Sequence, residues 1–161
     1  MAKYVLDSKE LEPNFVILGI SSYENIYALV TGINRIIDSD LCLSDNLPFN
    51  LKAGNLFYFS LFHYLNEETR TDYYLISNTS NFEQRTESRA VSTDLFSETE
   101  VEESTRLIKE LPKTDYFFII KGDEPHLYQF KIIEKLKNLE AILQIQTIEP
   151  KDLPSRMNLV F

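Results

Sequence analysis

The sequence predicts an α+β fold: a mixed, mainly antiparallel sheet with two helices on one face. Three observations carry this. Residues 115–121 (DYFFIIK) set four large apolar side chains, Phe117 to Ile120, between Pro112 and Gly122, a run too short for a helix and rich in aromatic and β-branched types. Two segments with apolar residues at helical spacing each follow a strand-like run. Between them, aromatic β-forming stretches separated by a polar connection predict a hairpin. The 161 residues fit one domain, residues 1–161, which at this length buries roughly 70% of the unfolded chain's surface.

In chain order, residues 3–6 read as a short edge strand. Residues 14–20 (NFVILGI) form a continuous apolar run, hence a strand covered on both faces. Ser21 and Glu24 stand in S-x-x-E spacing, which predicts a capping box and a helix start. Ile26, Leu29, Val30, Ile33 and Ile37 then give an amphipathic helix to about Asp38. Gly32 interrupts it, and close approach of a neighbour is the usual reason for a glycine there. Residues 41–43 complete a β-α-β pattern, and Asn46, Pro48, Asn50 and Gly54 make 45–54 a turn-rich connection.

Residues 56–64 (LFYFSLFHY) read as one long strand paired with 73–76 across a polar connection. Their aromatic belt is expected in the core and in cross-strand pairs rather than as a stacking platform. A long polar, acidic insertion at about 78–104 follows, with five acids and no base in 94–103, and Phe82, Val91, Leu95 and Phe96 as its apolar anchors. After the DYFFIIK strand, Pro125 occupies a first helical position behind Asp123 and Glu124. Leu127, Phe130, Ile133 and Leu136, with Tyr128 and Ile132, make the second helix's apolar face. Residues 141–148 close the pattern as a strand whose Gln144 and Gln146 face water, and the apolar end, residues 158–161, is expected to be tied down. Two β-α-β-like units flanking a hairpin suggest a ferredoxin-like arrangement with added strands. Helices on both faces would indicate a three-layer α/β fold instead.

The net charge of −9 weighs against a nucleic-acid surface. Lys131, Lys135 and Lys137, interleaved with Glu134, read as a solvated helix face. Lone Cys42 excludes an internal disulfide and reads as a small buried hydrophobe. With a mixed, polar opening segment, it points to a cytoplasmic address. The longest apolar run, 56–65, is broken by Ser60 and His63 and falls short of the roughly 20 residues of a membrane span. Phosphate-cradling and nucleophile-elbow motifs are absent. His63, His126 and one cysteine offer no zinc spacing. No cofactor, metal or catalytic residue is expected.

Residues 108–116 (IKELPKTDY) place Ile108, Glu110, Asp115 and Tyr116 in the spacing of an I-P-E-x-x-x-V-D-Y signature, with Lys109 for its proline and Thr114 for its valine. Together with NFVILGISS at 14–22, the helix through Ile33 and Asn34, YYLISN at 73–78 and the closing NLVF, the chain resembles the IPExxxVDY family of uncharacterised bacterial proteins. The resemblance implies no activity, cofactor or catalytic residue.

Ser21, Ser22, Glu110, Asp115 and Tyr116 are the candidate site. Asp115 suits a turn into the strand; the same five residues also suit a small polar ligand site at the strand mouth, beside a helix N-terminus. The leading expectation is a non-enzymatic cytoplasmic protein-interaction (adaptor) module, with a homodimer through a sheet edge or the open sheet face as one arrangement. The alternative is a small-molecule-sensing regulatory domain with a pocket near Ser21 and Asp115. An enzyme using clustered carboxylates and a divalent metal ranks third.

Overall fold

The computed structural model describes residues 14–44, 47–50, 56–80 and 105–159. The chain runs through β1 (Phe15–Ser22), α1 (Ile26–Ile37), β2 (Cys42–Leu43), β3 (Leu47–Asn50), β4 (Leu56–Phe59) and β5 (Leu61–Asn66). It continues through β6 (Thr71–Ser77), β7 (Tyr116–Gly122), α2 (Pro125–Leu136) and β8 (Ile142–Ile148), and ends in two short 3-10 turns. Among the described residues six strands form one sheet in the order β2-β5-β6-β7-β1-β8, while β3 and β4 pair separately.

Every ladder is antiparallel, which corrects the mixed sheet expected from the two crossovers. The reason lies in the strand order. Each helix does join two strands of the same direction, but β7, β6 and β5 stand between β1 and β2, and β1 stands between β7 and β8. Strands β8-β1-β7-β6 follow the split β-α-β plan of ferredoxin-like folds, with β5 and β2 added on one edge.

Period-2 alternation sends β1 and β7 into two cores. Val16, Leu18, Ile20, Tyr116, Phe118 and Ile120 meet Leu29 and Ile33 of α1 and Ile132 and Leu136 of α2. Both helices therefore cover one face. Ile17, Phe117 and Ile119 point to the other face, where Phe57 and Phe59 of β4, Leu107, Ile108, Leu153 and Leu159 cover them. Burial on both sides is why these strands are continuously apolar. It also removes the open sheet face expected for a homodimer in this region.

Ser60, 2% exposed, divides the single strand expected over 56–64. Its carbonyl accepts from the Ser77 amide at 3.1 Å, and β4 turns away to pair with β3, a strand that forms inside the stretch expected to be a turn-rich connection. The β5–β6 hairpin forms as expected, with Arg70 in the left-handed region at φ 50°. Helix α1 starts from Asn25, whose Oδ1 accepts from the amides of Tyr27 and Ala28, both at 3.0 Å. The capping box at Ser21 does not form because Ser21 and Ser22 are still in β1. A Cβ on Gly32 would lie 2.9 Å from Leu139 Cδ1, so a close neighbour does explain that glycine.

In α2, Pro125 is the first residue, as expected. The buried stripe is Ile132 and Leu136, while Leu127 and Phe130 are 66% and 73% exposed. This corrects the expected apolar face: at 3.6 residues per turn, 127 and 130 lie roughly opposite 132 and 136. In β8, Gln144 is exposed as expected and Gln146 only partly so, while Leu143, the extra residue where the ladder to β1 is bulged, is 68% exposed. Cys42 is exposed on the two-residue edge strand β2 rather than buried. The expected strand at 3–6, nearly all of the insertion and residues 160–161 lie outside the described residues; Leu159, just before them, is buried. Among the described residues no helix is long and apolar enough to cross a membrane.

Candidate functional site

The end of β1 meets the start of β7, with Ile20 opposite Tyr116, so four of the five candidate residues come together. The Asp115 amide donates to the Ile20 carbonyl at 3.0 Å. In return, Asp115 Oδ2 accepts from the Ser22 amide at 3.0 Å. Ser21 Oγ donates to the Lys113 carbonyl at 2.8 Å, and Ser22 Oγ to the Ala141 carbonyl at 2.7 Å. Tyr116 reaches from the sheet to the entry of α1, its hydroxyl donating to the Glu24 carbonyl at 2.7 Å. Glu110 joins the C-terminal segment instead, its Oε1 accepting from Ser155 Oγ at 2.8 Å.

All three hydroxyls are thus committed to main-chain carbonyls. Neither serine has a histidine as a hydrogen-bond partner: His63 Nε2 lies 2.7 Å from Asp72 Oδ1 in the β5–β6 hairpin. The cleft beside the network is lined by Tyr23, Glu24, Arg35, Ala141 and their neighbours, not by Ser21, Ser22, Asp115 or Tyr116. Chemically, the arrangement is a latch that satisfies strand ends and fixes the entry to α1.

Burial pushes the Tyr116 phenol above the ordinary tyrosine range, helped by the negative charges of Asp115 and Glu24. The Glu110 carboxyl is held below its usual range by its own backbone amide, then by the Ser155 hydroxyl. Among the described residues no three His, Cys, Asp or Glu side chains are grouped to hold a metal ion.

Sequence reading missed the residue that organises the motif segment. Asn78, 0% exposed, follows β6 and sits inside the 105–115 loop. Its Oδ1 accepts from the Ile108 amide at 2.8 Å. Its Nδ2 donates to the carbonyls of Thr114 at 2.8 Å, Leu111 at 3.1 Å and, more weakly, Ile108 at 3.4 Å. The Asn78 main chain adds a 2.8 Å bond to the Asp115 carbonyl and a 2.9 Å bond from the Leu107 amide. Nothing in the sequence distinguishes Asn78 from its polar neighbours Ser77, Thr79 and Ser80. The signature positions accordingly have structural work: Ile108 is buried, and Glu110, Asp115 and Tyr116 each tie the loop to another element.

Asp115→Ala orphans the Ser22 amide and is expected to cost about 1–3 kcal/mol in urea unfolding, with Asp115→Asn, which keeps an acceptor, recovering most of it. A second effect is expected at alkaline pH. Tyr73, Tyr74 and Tyr116 all have raised pKa values, burial being the largest cause. Above about pH 10 the unfolded chain has released phenolic protons that the fold still holds, so rising pH favours unfolding. The thermal midpoint is expected to be insensitive to these groups below that pH and to fall above it, less steeply in Tyr116→Phe.

Comparison with protein-family models, with curated proteins and with solved structures finds no match.

Proposed function

We propose that the protein is a non-enzymatic interaction module whose β8 edge accepts an extended strand, in the simplest case that of a second copy. The observation that carries this is the edge itself. Among the described residues β8 ends the six-stranded sheet, is seven residues long and reads ILQIQTI, without a charge or a proline. Sheet edges are ordinarily blocked by such residues, and an unblocked edge offers main-chain donors and acceptors to an incoming strand. The bulge opposite Ser21 and Ser22 lies at one end of β8 and leaves the rest regular. The other edge, β2, has only two residues. An exposed, unbridged Cys42 suits a reducing cytoplasm, and membership of the IPExxxVDY family is part of the same proposal.

Amide exchange across β8, followed over a dilution series, tests it. The amides of Ile142–Ile148 are expected to gain protection as a complex forms, and Leu143→Lys with Thr147→Lys to abolish the complex while keeping the thermal midpoint. Unprotected β8 amides at every concentration, together with no stoichiometric partner captured from lysate, would overturn it.

A further inference from the structure

The direction of each main-chain group along β8 is set by its neighbours in the sheet. The Asn14 carbonyl accepts from the Gly122 amide at 3.4 Å and the Ile20 carbonyl from the Asp115 amide at 3.0 Å. Even-numbered positions from 14 to 20 therefore turn their main chain to β7. Ile17, Gly19 and Ser21 turn theirs to β8, where they stand opposite Ile148, Gln146 and Gln144. The amides and carbonyls of Ile145 and Thr147 are left facing outward, toward the edge that no strand covers among the described residues.

Side chains alternate over the same span. Ile145 packs on the helix-side core, and Thr147 Oγ1 accepts from Gln129 Nε2 of α2 at 3.1 Å. On the other face, Gln146 Nε2 donates to Thr114 Oγ1 at 3.2 Å, and Ile148 joins the second core.

We infer that the partner of this edge is a second copy of the chain, paired β8 to β8 and antiparallel about a two-fold axis through Gln146. This rests on the reading of β8 as an open edge. Only outward-facing residues can exchange main-chain bonds, and they alternate, so the axis passes through a residue and not between two. Through Gln146, it sets Ile145 opposite Thr147 of the second copy, and Thr147 opposite its Ile145. Both pairs lie in the stretch from Gln144 to Ile148, clear of the bulge. An axis through Ile145 would call on Leu143, the bulged residue, and one through Thr147 would set charged Glu149 against Ile145. The side chains suit their own repeat: Ile145 meets Thr147 on the helix side, and Gln146 meets Gln146 on the other. Charge favours the same partner. Two copies of net charge −9 repel, and approach most closely along an uncharged seam. β8 is such a strand, with Glu140 and Glu149 outside the bonded pairs.

Cysteine crosslinking tests the register, in a Cys42→Ser background because Cys42 is itself exposed. Gln146→Cys puts its two copies in a non-hydrogen-bonded pair, with Cα atoms about 4.5 Å apart and within disulfide reach. Gln144→Cys leaves them four residues apart along the strand, about 13 Å and out of reach. Under mild oxidation Gln146→Cys is expected to give the linked dimer at least tenfold faster than Gln144→Cys. Gln146→Cys also gives up the bond to Thr114, so a mixture of Ile145→Cys and Thr147→Cys chains supplies a second measurement and is expected to favour the mixed dimer over either like pair. Equal or faster crosslinking of Gln144→Cys, while the β8 amides are protected from exchange, would overturn this pairing and leave the edge reading standing. So would protection that arises only on adding another protein, with the chain alone sedimenting as a monomer. β8 amides unprotected under every condition would overturn both.

Discussion

Asn78→Ala is expected to destabilise the protein by about 3–5 kcal/mol, the upper end of single-substitution effects. The side chain is fully buried and serves one amide and two well-placed carbonyls of the motif loop, at 2.8, 3.1 and 2.8 Å. Alanine leaves the Ile108 amide away from water without its acceptor, which costs roughly 1–3 kcal/mol, while the Leu111 carbonyl keeps the Thr114 amide and the Thr114 carbonyl a long bond from Arg106, so each of these loses one bond worth about 1 kcal/mol. Asn78→Asp is the sharper variant. It is nearly isosteric, but places an anionic oxygen where Nδ2 now donates to carbonyls, so it is expected to lose at least as much. Urea unfolding gives the number, and amide exchange at Ile108 should rise before that of β7, because the loop opens first. A loss below about 1 kcal/mol would mean that the loop is held by its apolar anchors, Leu107 and Ile108, rather than by this amide.

Phe118→Ala is the other large effect, expected at about 3–5 kcal/mol. Phe118 is 0% exposed in the helix-side core and stacks on Tyr73 with centroids 5.9 Å apart. Its strand, β7, lies between β6 and β1, so the surroundings are braced by ladders on both sides and collapse poorly into the space left. Phe118→Leu retains most of the volume and is expected to lose much less. The check is the urea midpoint at unchanged slope, which separates lost packing from a changed denatured state. An alanine variant losing less than about 1 kcal/mol would show that the helices close over the site.

Phe118 lies in the part of the molecule that was most legible in the sequence, whereas Asn78 does not. The run from Phe117 to Ile120 announced a strand buried on both faces because alternate side chains must enter different cores, and they do. The stripe of α1 was equally plain, since Ile26, Leu29, Val30 and Ile33 recur on one side of a 3.6-residue period. The candidate site was half legible. Ser21, Ser22, Asp115 and Tyr116 do meet, because two strands predicted to be central are neighbours. Their meaning was not legible, because a serine that closes a strand and a serine that caps a helix look alike until the strand's end is fixed.

Composition and periodicity thus settled the local elements and the α+β class, for these depend on each residue's neighbours along the chain. The tertiary structure decided everything that depends on which residues face one another across large sequence separations. It set the antiparallel order that separates each β-α-β pair, the covered second face, the exposure of Leu127 and Phe130, and which main-chain groups of β8 face outward. It also made Asn78 a hub rather than one polar residue among several, because a buried amide acquires its role only when the loop thirty-odd residues later folds around it.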